Sequence, residues 1–193
     1  ELNLRMADAV VVNKVDSAEA LAVEMVAKNV RDVNPGAQVV YAKSPPRLDP
    51  GPGIAGRRVL VVEDGPTVTH GEMPFGAGLV AARSAGAARI VDPRPFAVGS
   101  IKETLARWPQ LHDVLPAMGY DPTQLAELGE TIDLTPCDVV VTGTPIDLAR
   151  LITTRHPIRR VRYSLEEVGR PTIADLLEPV VRHARTQAAA VVR

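Results

Sequence analysis

Residues 58–66 read RVLVVEDGP, a short apolar run that ends in two carboxylates and a turn. A β-branched run of this kind is typical of a buried strand in a parallel sheet, where both faces are covered. Similar runs occur at residues 9–12, 38–41, 89–91, 138–141 and 160–163. Helical patterns separate them, and this alternation predicts an α/β fold with a mainly parallel sheet and flanking helices.

The helical segments are predicted from apolar spacing and from capping residues. They cover residues 17–33, 76–85, 100–108, 113–118, 122–128, 146–152 and 172–190. Ser17 is the expected cap of the first helix. Thr172 and Asp175 form a capping-box pattern at the start of the last one.

A change of composition divides the chain. Residues 45–56 contain four prolines and three glycines, which predicts a connection between two lobes. We therefore expect part of a P-loop NTPase-like domain at residues 1–45, a Pro/Gly-rich connection at 46–57 and a second α/β lobe at 58–193. The second lobe is the expected substrate- and phosphate-binding part.

Composition excludes several classes of protein. The net charge of −1 over 193 residues provides no excess of positive charge that would attract nucleic acid or an anionic membrane. A single cysteine excludes an intramolecular disulfide framework, and no apolar run approaches the length needed to span a bilayer. We expect a cytoplasmic protein whose partners are small molecules, with a homo-oligomer left open.

Three of the predicted strands end in polar, turn-rich tips, at residues 12–16, 62–66 and 141–147. Ligands of open parallel sheets bind beyond the carboxyl ends of the strands. These three tips are therefore the first candidates for a functional site.

The first tip carries the Asn-Lys-x-Asp pattern by which GTPases recognise guanine, with Asn13, Lys14 and Asp16 in the three specified positions. The Asp16 carboxylate can accept two hydrogen bonds from guanine, the Lys14 stem can cover the base, and Asn13 can tie neighbouring loops together. Ala42, after the next strand, is expected to support the base through its backbone. The alternative is that Asp16 or Ser17 only caps the following helix.

The phosphate-binding loop of GTPases is missing from the sequence. No glycine is followed by lysine, whereas a P-loop requires Gly-x-x-x-x-Gly-Lys-Ser/Thr. Since the P-loop usually precedes the guanine motif, we expect the chain to begin at Glu1 downstream of one.

The second tip is rich in groups that carry chemistry. Glu63 and Asp64 are adjacent carboxylates that can act as a base or, in the case of Asp64, hold Mg²⁺. Thr67, Thr69 and His70 add hydroxyls and an imidazole. We predict that these five residues line the reaction site, although an ordinary Asp-Gly turn with satisfied threonines is the alternative.

Phosphate binding is predicted at four further positions. Gly76 and Gly78 open a helix and can offer backbone N–H groups to an anion. Arg94 lies between two prolines and can clamp a phosphate, and Thr144 lies at the third tip. The alternatives are a plain helix start, a stiff surface turn and a simple N-cap.

Five segments resemble the cyclic 2,3-diphosphoglycerate synthetases and their bacterial relatives, which are described as predicted GTPases. They are residues 7–14, 61–71, 76–78, 117–120 and 143–148, and the resemblance extends over nearly the whole chain. It implies ATP- or GTP-driven closure of a phosphoanhydride on a small phosphorylated substrate, with Mg²⁺. Members carry a P-loop domain upstream, so this chain corresponds to their C-terminal portion.

The sequence thus predicts part of a nucleotide-dependent phosphoryl-transfer enzyme that uses GTP or ATP and Mg²⁺. Such chemistry consists largely of positioning and of charge neutralisation around phosphoryl groups. Two alternatives stay open: a regulatory or metallochaperone-type GTPase, and a non-catalytic module that binds nucleotide or phosphate.

Overall fold

The computed structural model describes residues 1–70 and 74–191. The first half of the chain forms α1 (Leu2–Arg5), β1 (Ala9–Val12), α2 (Ala20–Val33), β2 (Gln38–Lys43), β3 (Pro46–Leu48), β4 (Arg58–Asp64), α3 (Gly65–His70), α4 (Ala77–Ser84) and β5 (Arg89–Ile90). The second half forms α5 (Gly99–Arg107), β6 (Leu115–Ala117), α6 (Pro122–Leu134), β7 (Val139–Thr142), β8 (Ile158–Tyr163), β9 (Glu166–Val168) and α7 (Ile173–Val191). The α/β class is confirmed.

Contacts divide the chain into two compact units. Unit 1 comprises Glu1–Pro45 together with the chain from Tyr163 onward, and unit 2 comprises Pro46–Arg162. In unit 1, β2 pairs with β1 in parallel and with β9 in antiparallel orientation. The sequence assigns residues 58–193 to one lobe, whereas the structure groups the last segment of the chain with its first.

Unit 2 is built on a six-stranded sheet of order β3-β8-β7-β4-β5, with β6 paired to the end of β4. Strands β5, β6 and β7 pair with β4 in parallel, and β8 pairs with β7 in parallel. The apolar residues of β4 and all of β7 are buried. This is the pattern that a parallel strand covered on both faces requires.

The strand order of unit 2 contains a topological switch point. After β4, the chain places β5 and β6 on one side of it and then returns to place β7 and β8 on the other. The connections that follow β4 and β7 therefore start in opposite directions at the carboxyl ends of these two strands. This is where ligands of open α/β sheets bind.

Two predicted helices are wrong. Residues 113–118 contain strand β6, which pairs Leu115–Ala117 with the end of β4. Pro116 is compatible with a strand here because β6 is paired on one side only among the described residues. Residues 146–152 form only a 3₁₀ turn at Leu148–Arg150, because Asp147 before it has a non-helical backbone.

The two capping predictions have opposite outcomes. Thr172 and Asp175 cap α7 reciprocally, since the Asp175 amide donates to Thr172 Oγ1 at 3.1 Å and the Thr172 amide donates to the Asp175 carboxylate at 2.9 Å. Ser17 does not cap α2. That helix begins at Ala20, and Ser17 donates its hydroxyl to the carbonyl of Lys14 at 3.3 Å.

Candidate functional site

The Asn-Lys-x-Asp turn follows β1 directly in unit 1. The Asn13 amide donates to Ser44 Oγ at 3.0 Å and accepts from the same hydroxyl at 3.1 Å, so Asn13 ties the β1 tip to the residues that follow β2. Lys14 has a φ of 62°, which turns the backbone sharply at the strand end. The Val15 amide then donates to the carbonyl of Ala42 at 3.1 Å. This contact matches the loop-tying role predicted for Asn13, whose part in nucleotide binding stays a prediction.

The other nucleotide-binding candidates differ in accessibility. Asp16 and Lys14 are exposed, and Asp16 makes no side-chain hydrogen bond to the described residues. Ala42 is fully buried inside β2, which continues to Lys43. The turn thus presents a free carboxylate, whereas Ala42 offers no open loop, and nucleotide binding by these residues stays a prediction.

In unit 2, Glu63 lies near the carboxyl end of β4 and is only 2% exposed. Its Oε1 accepts from the backbone amides of Leu79 at 2.9 Å and Gly76 at 3.1 Å, so the carboxylate fills the amino end of α4. Burial raises the pKa of the Glu63 carboxyl to about 7, although these amides and that of Gly78 oppose the shift. A buried carboxyl with such a pKa is common in active sites, but it also occurs in structural networks.

Glycines surround this carboxylate because no side chain fits beside it. A Cβ at Gly143, directly after β7, would lie 2.2 Å from Glu63 Oε2 and 2.7 Å from the Gly78 amide nitrogen. A Cβ at Gly76 would lie 2.6 Å from the same oxygen. The switch point between β4 and β7 is therefore closed by Glu63 packed against backbone.

The remaining residues of the second tip lie on or next to the short helix α3. Asp64 is half-buried and accepts a hydrogen bond from the exposed Thr67 hydroxyl at 2.8 Å. Thr69 is buried and donates to the carbonyl of Gly65 at 2.8 Å, while its Oγ1 lies 3.2 Å from Nδ1 of the exposed His70. Residues 71–73, which continue the predicted tip, lie outside the described residues. The structure thus groups Asp64, Thr67, Thr69 and His70 at one helix.

The four predicted phosphate-binding residues already have partners within the chain. Gly76 and Gly78 direct their amides at Glu63. The Arg94 guanidinium binds both carboxylate oxygens of Asp92, with its Nε at 2.9 and 3.0 Å from them. Thr144 is buried and donates to the carbonyl of Ile146 at 2.7 Å. A phosphate at any of these positions would compete with these contacts.

The structure adds Tyr120 to the site, a residue that the sequence did not single out. A Cβ at Gly65 would lie 2.6 Å from both the Ala117 carbonyl oxygen and Met118 Sδ, so the loop that leads to Tyr120 packs on the start of α3. The Tyr120 hydroxyl is buried and has no partner among the described residues. Burial raises the pKa of this phenol, and the charge of Asp64 raises it further. Only the resemblance of residues 117–120 could have indicated it.

No group of three or more His, Cys, Asp or Glu side chains is arranged to hold a metal ion in the described part of the chain. Within the same residues, no helix is both long and apolar enough to traverse a bilayer.

Comparison with known proteins finds a similar protein that is named as a synthetase. Over 178 residues, the chain is 51% identical to arginine synthetase ArcE of Thermococcus kodakarensis. The matched region is 92% of this chain but 40% of that protein, so the chain spans about two fifths of the relative's length. No family model matches the chain. The chain is therefore a homologue of part of a synthetase, and that relative is named for arginine rather than for cyclic 2,3-diphosphoglycerate.

Proposed function

We propose that this chain is part of a nucleotide-dependent ligase that activates a small substrate by phosphoryl transfer. The observation that carries the proposal is the 51% identity with a synthetase over 92% of the chain. The switch-point site at β4 and the guanine-type turn at β1 support it, because they supply the two kinds of site that such an enzyme needs.

By extension from the relative's name, the product in this protein is arginine or a closely related amino acid. Cyclic 2,3-diphosphoglycerate, which the sequence resemblance implies, is the second product to be tested. The formation of either product requires that an oxygen or phosphate of a small substrate is activated, and cleavage of a nucleotide drives this step.

In this proposal, Asn13 holds the turn after β1 in place, and Lys14 and Asp16 contact the base. Two charge-assisted hydrogen bonds from guanine to the Asp16 carboxylate favour GTP over ATP. The exposure of Asp16 supports this role, because the carboxylate needs no rearrangement to meet a ligand.

At the β4 tip, Asp64 and Thr67 face the reacting groups, and His70 next to Thr69 supplies a proton-transfer group. Asp64 fits Mg²⁺ as one carboxylate ligand, because Mg²⁺ is usually held by one or two carboxylates together with nucleotide phosphates and water. When bound, the ion neutralises phosphate charge. Because Glu63 fills the amino end of α4, a phosphate binds the amides of Gly76 and Gly78 only by displacing that side chain.

The first test uses the complete protein that contains this chain. Consumption of GTP and ATP is measured with amino-acid substrates and with 2,3-diphosphoglycerate, and the products are identified by mass spectrometry. Substrate-dependent nucleotide cleavage with release of arginine supports the proposal. A cyclic phosphate would support the diphosphoglycerate alternative, and binding without turnover of any substrate would identify a non-catalytic module.

The second test addresses the base. Asp16→Asn in the complete protein should reduce the preference for GTP over ATP by about tenfold or more, since it weakens two hydrogen bonds to a charged group. Glu19→Gln is the matched control, because it removes another exposed negative charge next to the same turn. An unchanged GTP-to-ATP ratio of kcat/KM in Asp16→Asn would refute base recognition by this turn.

A further inference from the structure

Strand β1 ends the unit 1 sheet, and its outer edge is open. Among the described residues, β1 pairs only with β2. The Gln38 amide donates to the Asp8 carbonyl at 2.9 Å, so the backbone of Asp8 is directed toward β2. Because successive residues of a strand direct their backbone groups to opposite edges, Ala9 and Val11 present theirs to the open side. Such an edge is a template for pairing with another strand.

The composition of β1 does not suit an edge strand. Its four residues are Ala-Val-Val-Val, without a charge or a proline. Each other strand that pairs on one side only among the described residues contains such a residue: Pro46 in β3, Arg89 in β5, Pro116 in β6 and Glu167 in β9. Charges and prolines protect natural edges against pairing with other chains. By this comparison, β1 has the sequence of an internal strand.

The burial of β1 differs from that of β7, which has a nearly identical sequence. All four residues of β7 are buried, whereas in β1 only Val12 is buried. Val11 is 38% exposed, although its register partner Val40 on β2 is 1% exposed. Register partners lie on the same face of a sheet, so the cover over Val40 ends before it reaches Val11. A continuous apolar run is typical of a parallel strand that is covered on both faces.

Helix α2, which follows β1, also has an excess of apolar surface. It buries Ala27 and Val30. Leu21 and Met25, which lie one turn apart, are 79% and 60% exposed, and the neighbouring Val26 is 48% exposed. A helix with one face on the core and the other in solvent usually carries polar residues outside its apolar stripe. The exposed apolar group on α2 therefore indicates a second contact surface.

We propose that β1 is an internal strand in the complete protein, covered by a strand and a helix from the part of that protein outside these 193 residues. The added strand pairs in parallel with the open edge at Ala9 and Val11, and the added helix packs on Met25 and Val26. In the synthetase relative, more than half of the length lies outside the matched region, which is ample for both elements. The proposal concerns how unit 1 is completed and does not depend on the reaction.

A second copy of the chain fits this edge less well. A two-fold axis between two copies would pair one β1 with the other in antiparallel orientation. The continuous apolar run of β1 is instead typical of a strand with parallel neighbours. The occupant that suits the edge is therefore a parallel strand with its own helix.

Hydrogen exchange of valine amides in the complete protein tests the added strand. The Val10 amide is directed toward β2 and is the internal control, whereas the Val11 amide is directed to the open edge. After selective ¹⁵N-valine labelling, both amides should exchange at least about a hundredfold more slowly than in an unstructured peptide. An unprotected Val11 amide beside a protected Val10 amide would overturn the proposal.

Thiol labelling in the complete protein tests the added helix. At 3.6 residues per turn, Val26 and Glu24 lie on opposite flanks of the buried face of α2. The thiol of Val26→Cys should react with iodoacetamide at least about tenfold more slowly than that of the matched control Glu24→Cys, because access limits the reaction. The unsubstituted protein gives the background, and equal rates for the two variants would overturn the proposal.

Both measurements are repeated over about a hundredfold range of protein concentration, because association of copies follows mass action. Protection that stays constant over this range supports an occupant within the same protein molecule. Protection that appears only at the higher concentrations would identify a second copy as the occupant and would also overturn the proposal.

Discussion

The buried carboxyl of Glu63 should make the stability of this chain depend on pH, and the substitution Glu63→Gln should remove that dependence. The side chain is 2% exposed, and its pKa rises from an ordinary 4.5 to about 7 in the folded chain. In the unfolded chain the carboxyl returns to its ordinary pKa. Between these two values, the folded state binds more protons than the unfolded state.

The sign and size follow from proton linkage. A pKa raised by folding gives stability that is fully present below pH 4.5 and is lost as the pH rises through about 7. A change of this size corresponds to about 3 kcal/mol in the free energy of unfolding. Above that window Glu63 is ionised and makes no further contribution to the pH dependence.

Glutamine has nearly the same shape and can accept the Gly76 and Leu79 amides, but it does not titrate. Urea unfolding at pH 5, 6, 7 and 8, followed by circular dichroism, gives the free energy of unfolding at each pH. The unsubstituted chain should lose about 2.5 kcal/mol more stability than Glu63→Gln between the ends of this range, because the rest of the change falls below pH 5. Glu130→Gln, which changes an exposed carboxylate on α6, is the control and should follow the unsubstituted profile. Parallel profiles for Glu63→Gln and the unsubstituted chain would refute the assignment of a raised pKa to Glu63.

Two further substitutions test the surroundings of the same site. Gly143→Ala should destabilise the chain by about 1–3 kcal/mol in urea, because its methyl group collides with Glu63 and α4. Gly53→Ala is its control, since a Cβ there meets nothing within 4 Å, and equal effects of the two changes would contradict close packing around Glu63. Tyr120→Phe removes a hydroxyl that has no partner among the described residues, so stability should stay constant or rise by about 1 kcal/mol. In the complete protein the same change should raise KM for the small substrate, and a marked loss of stability would instead show a structural hydrogen bond.

The alternation of strands and helices could be predicted because the strands that build the sheet are continuous apolar runs. Residues 58–62 and 138–141 have this pattern and form the two buried central strands of unit 2. Strand β6 was not predicted because Leu115–Ala117 contains a proline and has no apolar run of its own. Its stability comes from pairing with β4. Strand β9 was not predicted for a similar reason, since Glu166–Val168 is a charged segment held on the edge of β2.

The position of the candidate site could also be predicted, because polar tips after buried strands mark the ligand edge of a parallel sheet. Its internal contacts could not. The pairing of Glu63 with the Gly76 and Leu79 amides depends on how β4 and α4 meet in space, and the intervening residues give no sign of it. The ion pair between Arg94 and Asp92 could have been predicted from the sequence, because both residues belong to the same short turn.

The connectivity of β2 and β9 describes how unit 2 is joined to the rest of the chain. The chain leaves β2 at Lys43 and enters β9 at Glu166, and these two residues are directly paired in antiparallel register. Residues 44–165 therefore occupy the place of a hairpin loop. Within unit 2, the entry and exit strands β3 and β8 are also neighbours in one sheet. The α/β unit thus replaces the turn between the paired strands β2 and β9, and its two ends are adjacent. Such an insertion costs the β2–β9 pair little more entropy than a long loop does.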